Sequence, residues 1–543
     1  MQKRIVSLLL ALVLVLTSVA AIAETNANVG QGLYPGSSEE GAIHAMITTM
    51  SVMNPIKQTY SNEFSINRHI WDCLVKADSE TNQTIPAAAE SWECSEDGLT
   101  WTFKIRQGQY WVNSKGEKVA EVTANDFVFG WSELQNPNNA CEYGEFPQMI
   151  DSAVALDDYT LQVTLKYYVG YFLQVVKFEV MVPIYEPFYT EVGADNYGTS
   201  PETLLYNGPF YMTSWVLENS VTIEKNPYWY NADQVELQKI YWDKYTDTNT
   251  RLNAFMAGEL DVCDLTGEQL QMMAADGYET ISYNGGYSYW YWVNVTDETM
   301  SNLNLRQAIS AALDRTTIIN TVLQDASQPS QCATLGISGV NTDTFAEAVV
   351  AANGGSLYNP NADAETAQAY LAKAMEEMGV TDASEITIAL LTSEGTTNEM
   401  MSALVQEMLQ KTLGITVTID VQTITEARRR RNALEFQMFF GGWGPDYNDP
   451  KTDLELFYST NGNNHTGYAN PEYDALIDAT DAELDATARE QLFVQAELMV
   501  QRDLPVIPIY WKVDSYVVSE KMASGFSRLP FQAYNLIYTK LAK

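Results

Sequence analysis

Histidine is almost absent from this 543-residue chain: His44, His69 and His465 stand in unrelated stretches. None pairs with another at metal-ligand spacing, so the three are expected to be structural or surface residues, with no metal and no cofactor. Cysteine is scarce too. The five, Cys73, Cys94, Cys141, Cys263 and Cys332, include no CxxC pair, which rules out a disulfide scaffold. Positive charge is the third shortage: 31 Lys and Arg face 70 Asp and Glu, for a net charge of −39. Nucleic acid selects clustered Lys and Arg, and the one basic run, 428–431, sits in an acidic chain. Nucleic acid is therefore not an expected partner, and the acidity reads as solubility and mutual repulsion.

Long apolar runs are missing beyond the first residues. Lys3 and Arg4 precede an apolar stretch over 5–16, followed by Ala21, Ile22 and Ala23 in a small-x-small cleavage pattern. Residues 1–23 thus read as a secretory signal peptide, shorter than the roughly 20 apolar residues of a spanning helix. Cleavage before Glu24 would remove two positive charges and leave the mature chain at −41. Lipid-anchored exported bacterial proteins carry a cysteine directly after the signal. The first here is Cys73, so no anchor is expected, and the location is the periplasmic space or the extracellular face of a membrane.

Catalytic motifs are missing as well. The strings nearest to a serine-hydrolase elbow, GYSYW around Ser288 and GISGV around Ser338, lack the second glycine. The acidic run DYNDPKTD from Asp446 has no glycine at the sixth position that a calcium loop demands. Paired carboxylates for glycoside cleavage are defined in space rather than in sequence, which leaves a secreted hydrolase as an alternative.

What is present is organisation. A mature chain of this length exceeds what one hydrophobic core supports. Residues 101–106 alternate apolar and polar, and 154–165 reads as two strands about an Asp157–Asp158 turn. Leu305, Ala308, Ile309, Ala312 and Leu313 fall at helical spacing behind Asn302 and Asn304, two possible N-caps, and a second helix is expected after Asp314. Further on, a strand over 386–391, a helix carrying Met401, Leu404, Val405, Met408 and Leu409, a stop at Gly414 and an alternating 415–421 form a β-α-β unit. A helix near 425–434 and a strand at 436–442 follow, then a helix over 487–502, Pro505, and an apolar run at 506–511. The run YSYWYW at 287–292 fits either a strand with rings on both faces or the wall of a cleft, because Tyr and Trp join apolar area to a polar tip.

Several strings together resemble one family. They are IPAAAESWECSEDGLTWTFKIRQG (85–108), VTANDFVFGW (122–131), NGPFYMTSW with EKNPYWYNA (207–232), LRQAISAALDR (305–315) and GGWGPDYNDP (441–450), followed by YANPEYDALI and LPVIPIYW. Their order and spacing match the extracellular solute-binding family that includes the bacterial oligopeptide- and dipeptide-binding proteins. The resemblance implies an α/β, periplasmic-binding-protein-like two-lobe fold, with two hinge crossings near 283–294 and 510–517 and an extra strand-rich domain. It implies lobe I from 28–63, 200–286 and 516–543, the strand-rich domain at 64–199, and lobe II at 287–515. The implied activity is capture of small peptides between the lobes and delivery to the membrane permease of an ABC importer, by a monomer that is not an enzyme. Another solute on the same fold, such as an oligosaccharide, a nickel complex or haem, is the alternative.

The resemblance also implies a ligand-binding set. Asp446, in WGPDY, occupies the place of the aspartate that pairs with a peptide's free α-amino group. Gly442 and Trp443 match positions whose backbone pairs with an extended peptide. Tyr143 corresponds to a ligand-contacting tyrosine, Arg431 to an arginine bordering a side-chain pocket, and the stretch around Ser61 faces the cleft; Tyr289 lies in the aromatic run. Two departures stand out. Phe440 replaces an arginine that in some members holds a short peptide's carboxylate, and Lys512 replaces a hinge tyrosine and offers a positive charge from another direction.

Overall fold

The computed structural model describes residues 36–47, 52–58, 61–79, 81, 83–141, 143–144, 146–333, 336–528 and 534–543. The proposed signal peptide lies outside the described residues. Strand β1 (Ala42–Ile47) opens the chain, followed by helix α1 (Ser61–Ile70). Among the strands that follow are β2 (Ala89–Cys94), β3 (Thr100–Ile105), β4 (Ile150–Asp157) and β5 (Thr160–Leu165). They form an antiparallel sheet in the order β2-β3-β5-β4. The turn between β4 and β5 falls one residue later than its acidic pair predicts, since Asp157 Oδ1 accepts the Tyr159 amide at 2.8 Å.

The chain then returns to the first sheet. Strands β6 (Phe210–Val216), β7 (Ser220–Lys225) and β8 (Lys239–Lys244) complete the order β1-β8-β7-β6, with β1 parallel to β8 and the other pairs antiparallel. One continuous core serves this sheet and the strand-rich unit, joining Ile43, Trp242, Phe103, Trp111 and Phe127. His69 pins the C-terminal segment to that core: its Nδ1 lies 2.6 Å from the Ser65 carbonyl and its Nε2 accepts the Leu536 amide at 3.0 Å. Burial pushes its pKa down to about 3, so it is neutral and serves as structure.

The remaining elements build the largest sheet. Strands β9 (Val262–Leu265), β10 (Ile281–Val293), β11 (Thr387–Ser393), β12 (Thr416–Gln422), β13 (Met438–Trp443) and β14 (Val506–Val518) are ordered β9-β14-β10-β13-β11-β12. Helices α2 (Leu303–Ala312), α3 (Thr396–Leu413), α4 (Ile424–Asn432) and α5 (Ala486–Asp503) accompany it. Asn302, not Asn304, caps α2, its Oδ1 accepting the Leu305 amide at 2.9 Å. Gly414 ends α3 at φ 73.

Because strand side chains alternate faces, β10 feeds two cores at once. Trp290 and Trp292 enter one with Phe439 and Val506, while Tyr291 and Val293 enter the other with Phe440 and Ile507. The aromatic run is thus mainly core: Trp290, Tyr291 and Trp292 are fully buried, whereas Tyr287 is 43% exposed.

Strands β10 and β14 are the two crossings. Ile281, Tyr283, Tyr516 and Val518 pack with the first core, while the other ends of the same strands lie in the cores of the large sheet. Their antiparallel pairing breaks between Asn284 and Ser288, where Gly286 takes φ +87 and donates its amide to Asn284 Oδ1 at 2.8 Å.

Candidate functional site

A small cavity of about 80 Å³ lies between the first core's elements and the loop that follows β13. From the first side come α1 and the residues after it (Arg68, Asp72, Lys76) and the segment Gln174 to Glu179; from the second come Asp446, Tyr447 and Asn448. Two contacts bracket it. The rings of Tyr171 and Tyr447 stack at 4.4 Å with 5° between planes. Gly170 abuts Arg489, whose guanidinium holds Asp449 in a fork at 2.5 and 3.0 Å.

The loop after β13 has a division of labour. Asp449 is 7% exposed, accepts the Lys451 amide at 3.1 Å and pairs with Arg489, so it holds the turn. Asp446 anchors the loop through its backbone amide, which donates to Thr452 Oγ1 at 3.0 Å, and its exposed side chain lines the cavity. Gly444 lets the loop pass closely under Tyr287, whose ring lies within 2.3 Å of where a Cβ would stand. The ground beneath is acidic. Burial, with Glu497 and Asp446 adding to it, pushes the Asp453 carboxyl well above its usual range, and burial raises Glu455 to about 7. Both shifts favour the protonated, neutral form of these buried carboxyls.

Strand β13 leads straight to that carboxylate. One edge pairs with β10 along its whole length, from Ser288↔Trp443 to Val293↔Met438. On the other edge β11 pairs only with Met438 and Phe439, so among the described strands the edge at 440–443 stands open. Gly442 is needed on the paired side, where a Cβ would meet the Ser288 carbonyl and the Tyr289 ring at 2.9 Å.

The other residues that the sequence singles out lie at varied distances from the cavity wall. Tyr143 stands one ring behind it, 5.1 Å from Phe178, which lines it. Arg431 donates to Asn432 Oδ1 and covers the rings of Trp292 and Phe439 at 5.7 and 5.8 Å; burial, with Arg428 adding to it, pulls its pKa down to about 10. Tyr289 stacks on Tyr510 at 4.7 Å. Phe440 is 4% exposed, inside the core of the large sheet. Lys512 is ion-paired to Asp325 and lies 3.7 Å from Asp514, at the crossing strands. The Ser61 side chain lies outside the described residues. Sequence reasoning missed Arg68, Lys177 and Glu179 on the wall. Lys177 and Glu179 did carry a signal, as opposite charges inside the apolar run 173–184.

No disulfide joins any of the five cysteines among the described residues. Among the described residues no cluster of His, Cys, Asp and Glu is arranged to hold a metal ion, and no helix is long and apolar enough to cross a membrane.

The profile of the bacterial extracellular solute-binding proteins, family 5 (middle), matches residues 83–465. The oligopeptide-binding protein OppA of Bacillus subtilis is 31% identical over 508 residues, covering 89% of this chain and 88% of that protein. The dipeptide-binding protein DppE of the same organism is 31% identical over 464 residues, 82% of each. Among solved structures, the substrate-binding domain of an oligopeptide ABC transporter from Bacillus anthracis superposes with TM-score 0.72 at 27% identity, over 94% of this chain and 100% of that one. Two lobes, two crossing strands and a strand-rich unit are therefore a shared architecture, and the chain belongs to the bacterial extracellular solute-binding proteins of family 5.

Proposed function

We propose that this chain captures short peptides outside the cytoplasm, seats the free amino terminus at Asp446, and delivers the peptide to the permease of an ABC importer. The observation that carries the reading is the open edge of β13 at 440–443, running into an exposed aspartate on the wall of an inter-lobe cavity. An extended peptide adds to such an edge through its main chain, so that binding reads backbone more than sequence. Gly442 and Trp443 offer the backbone groups, Asp446 the counter-charge for the ammonium, and Tyr143 and Tyr289 supporting rings. The relatives named for oligopeptides and dipeptides support the same ligand class.

The lobes divide as the sequence proposes, with 28–63, 200–286 and 516–543 in lobe I, 64–199 in the strand-rich domain and 287–515 in lobe II. The mature protein acts as an exported monomer, and no bond is made or broken. A peptide touching both lobes stabilises the closed arrangement, because the open one lacks half of those contacts.

The test is calorimetric titration of wild type and Asp446→Asn with trialanine and with N-acetyl-trialanine. Truncating one partner of an enclosed charge pair typically costs about 2–5 kcal/mol. Asp446→Asn is expected to lose that much for the free-amine peptide and little for the acetylated one. Equal losses for both remove Asp446 from this role, and binding of a sugar or metal chelate with no heat from any peptide removes the peptide reading.

A further inference from the structure

The segment 173–184 is apolar apart from Gln174, Lys177 and Glu179. Val175, Val176, Val180, Met181 and Val182 are buried in the first core, and their burial carries Lys177 and Glu179 to the wall of the cavity that Asp446 also lines. The basic groups of this wall are not equally committed. Arg68 is ion-paired to Glu179, and Lys76 donates to Tyr538 Oη at 3.0 Å while lying 4.7 Å from the Trp229 ring centre. Lys177 has neither hydrogen bond nor ion pair among the described residues. Burial draws its pKa down to about 8 against the attraction of Glu179, and the side chain is half-buried, so the ammonium is partly desolvated with only a through-space attraction to offset that cost. A ligand carboxylate placed there would answer it.

Neither departure noted in the sequence holds a carboxylate: Phe440, in the place of the family's arginine, lies in the core, and Lys512, the positive charge offered instead, is bound to Asp325. We propose that Lys177 is a specificity-determining residue that receives a carboxylate of the bound peptide, complementing the amine held at Asp446. The cavity would thereby select short peptides carrying charge at both ends of the bound stretch. This rests on the peptide reading of the same cavity. The carboxylate has two sources, the peptide's own C-terminus or an Asp or Glu side chain.

Calorimetric titration of wild type with trialanine, trialanine amide and Ala-Asp-Ala amide separates them. If the C-terminus is the source, the amide of trialanine binds about 30-fold more weakly than the acid, the lower end of what losing one partner of a buried charge pair costs. If a side chain is the source, Ala-Asp-Ala amide recovers the affinity that trialanine amide lacks. Lys177→Met is expected to erase whichever difference wild type shows, and Lys177→Arg to keep it. Thermal unfolding of Lys177→Met adds a second readout. Its midpoint should stay close to that of wild type, because Lys177 is half-buried and makes no hydrogen bond or ion pair among the described residues that the variant would lose. Equal affinity of wild type for all three peptides overturns the proposal while leaving peptide capture standing. So does a Lys177→Met protein that is less stable and weaker toward all three alike. Absence of heat with every peptide overturns the reading beneath it.

Discussion

At the scale of single residues, chemistry and position were legible to different degrees. Asp446 is singled out only by the family resemblance of its string WGPDY, and the structure puts that side chain on a cavity wall. Phe440 and Lys512 were legible only as departures; that one faces the core and the other is tied to Asp325 depends on strand register and on a partner far away in sequence. The same distance in sequence hides the acidic ground below Asp446. Glu455 accepts a hydrogen bond from Tyr447 Oη at 3.4 Å, and burial raises its pKa from 4.5 to about 7. A carboxyl whose folded pKa lies above its unfolded value binds more protons when folded, so its contribution is greatest below pH 4.5 and is lost as pH rises through 7. Taken at face value the shift is worth up to about 3 kcal/mol. Glu455→Gln is therefore expected to unfold in urea with a flatter dependence on pH between 4.5 and 7 than wild type. Parallel curves would show that Glu455 titrates near its ordinary value.

At the scale of elements, periodicity located most of the architecture. Helix α3 and strands β11, β12 and β13 fall where the sequence places them, because their apolar spacing is imposed by burial against cores on the faces of the large sheet. Strand β14 runs seven residues past Trp511, to Val518, and pattern alone did not show it. The continuation carries Lys512, Asp514 and Ser515, whose polar groups are satisfied locally by Asp325 and by Ser282, the latter at 2.9 Å. Polar strands between lobes have no apolar alternation to read. The bulge opposite them is likewise a tertiary feature. Gly286 sits at φ +87 beside Gly285, where a Cβ would stand 2.8 Å from Asp514 Oδ2. A side chain at Gly286 would meet the steric cost of left-handed backbone, about 1–2 kcal/mol. Gly286→Ala should lower the unfolding free energy measured in urea by that amount; an unchanged value would mean that the crossing relaxes freely.

At the scale of the whole molecule, capture depends on how firmly the two sides hold each other before any ligand contributes. The Tyr171–Tyr447 stack joins the first core to the loop carrying Asp446, yet Tyr171 does not line the cavity. Aromatic pairs of this kind contribute about 0.5–1.5 kcal/mol beyond the area they bury, and apparent affinity falls in proportion to the fraction of protein able to close. Tyr171→Ala should therefore weaken every peptide by a similar factor, about 2- to 10-fold, whatever its end groups. That uniformity separates it from Asp446→Asn, which discriminates by amine. Small-angle scattering of the ligand-free variant should also give a larger radius of gyration than wild type. Unchanged scattering together with unchanged affinities would place the closing energy elsewhere, in the Arg489–Asp449 fork against Gly170 or in the crossing strands themselves.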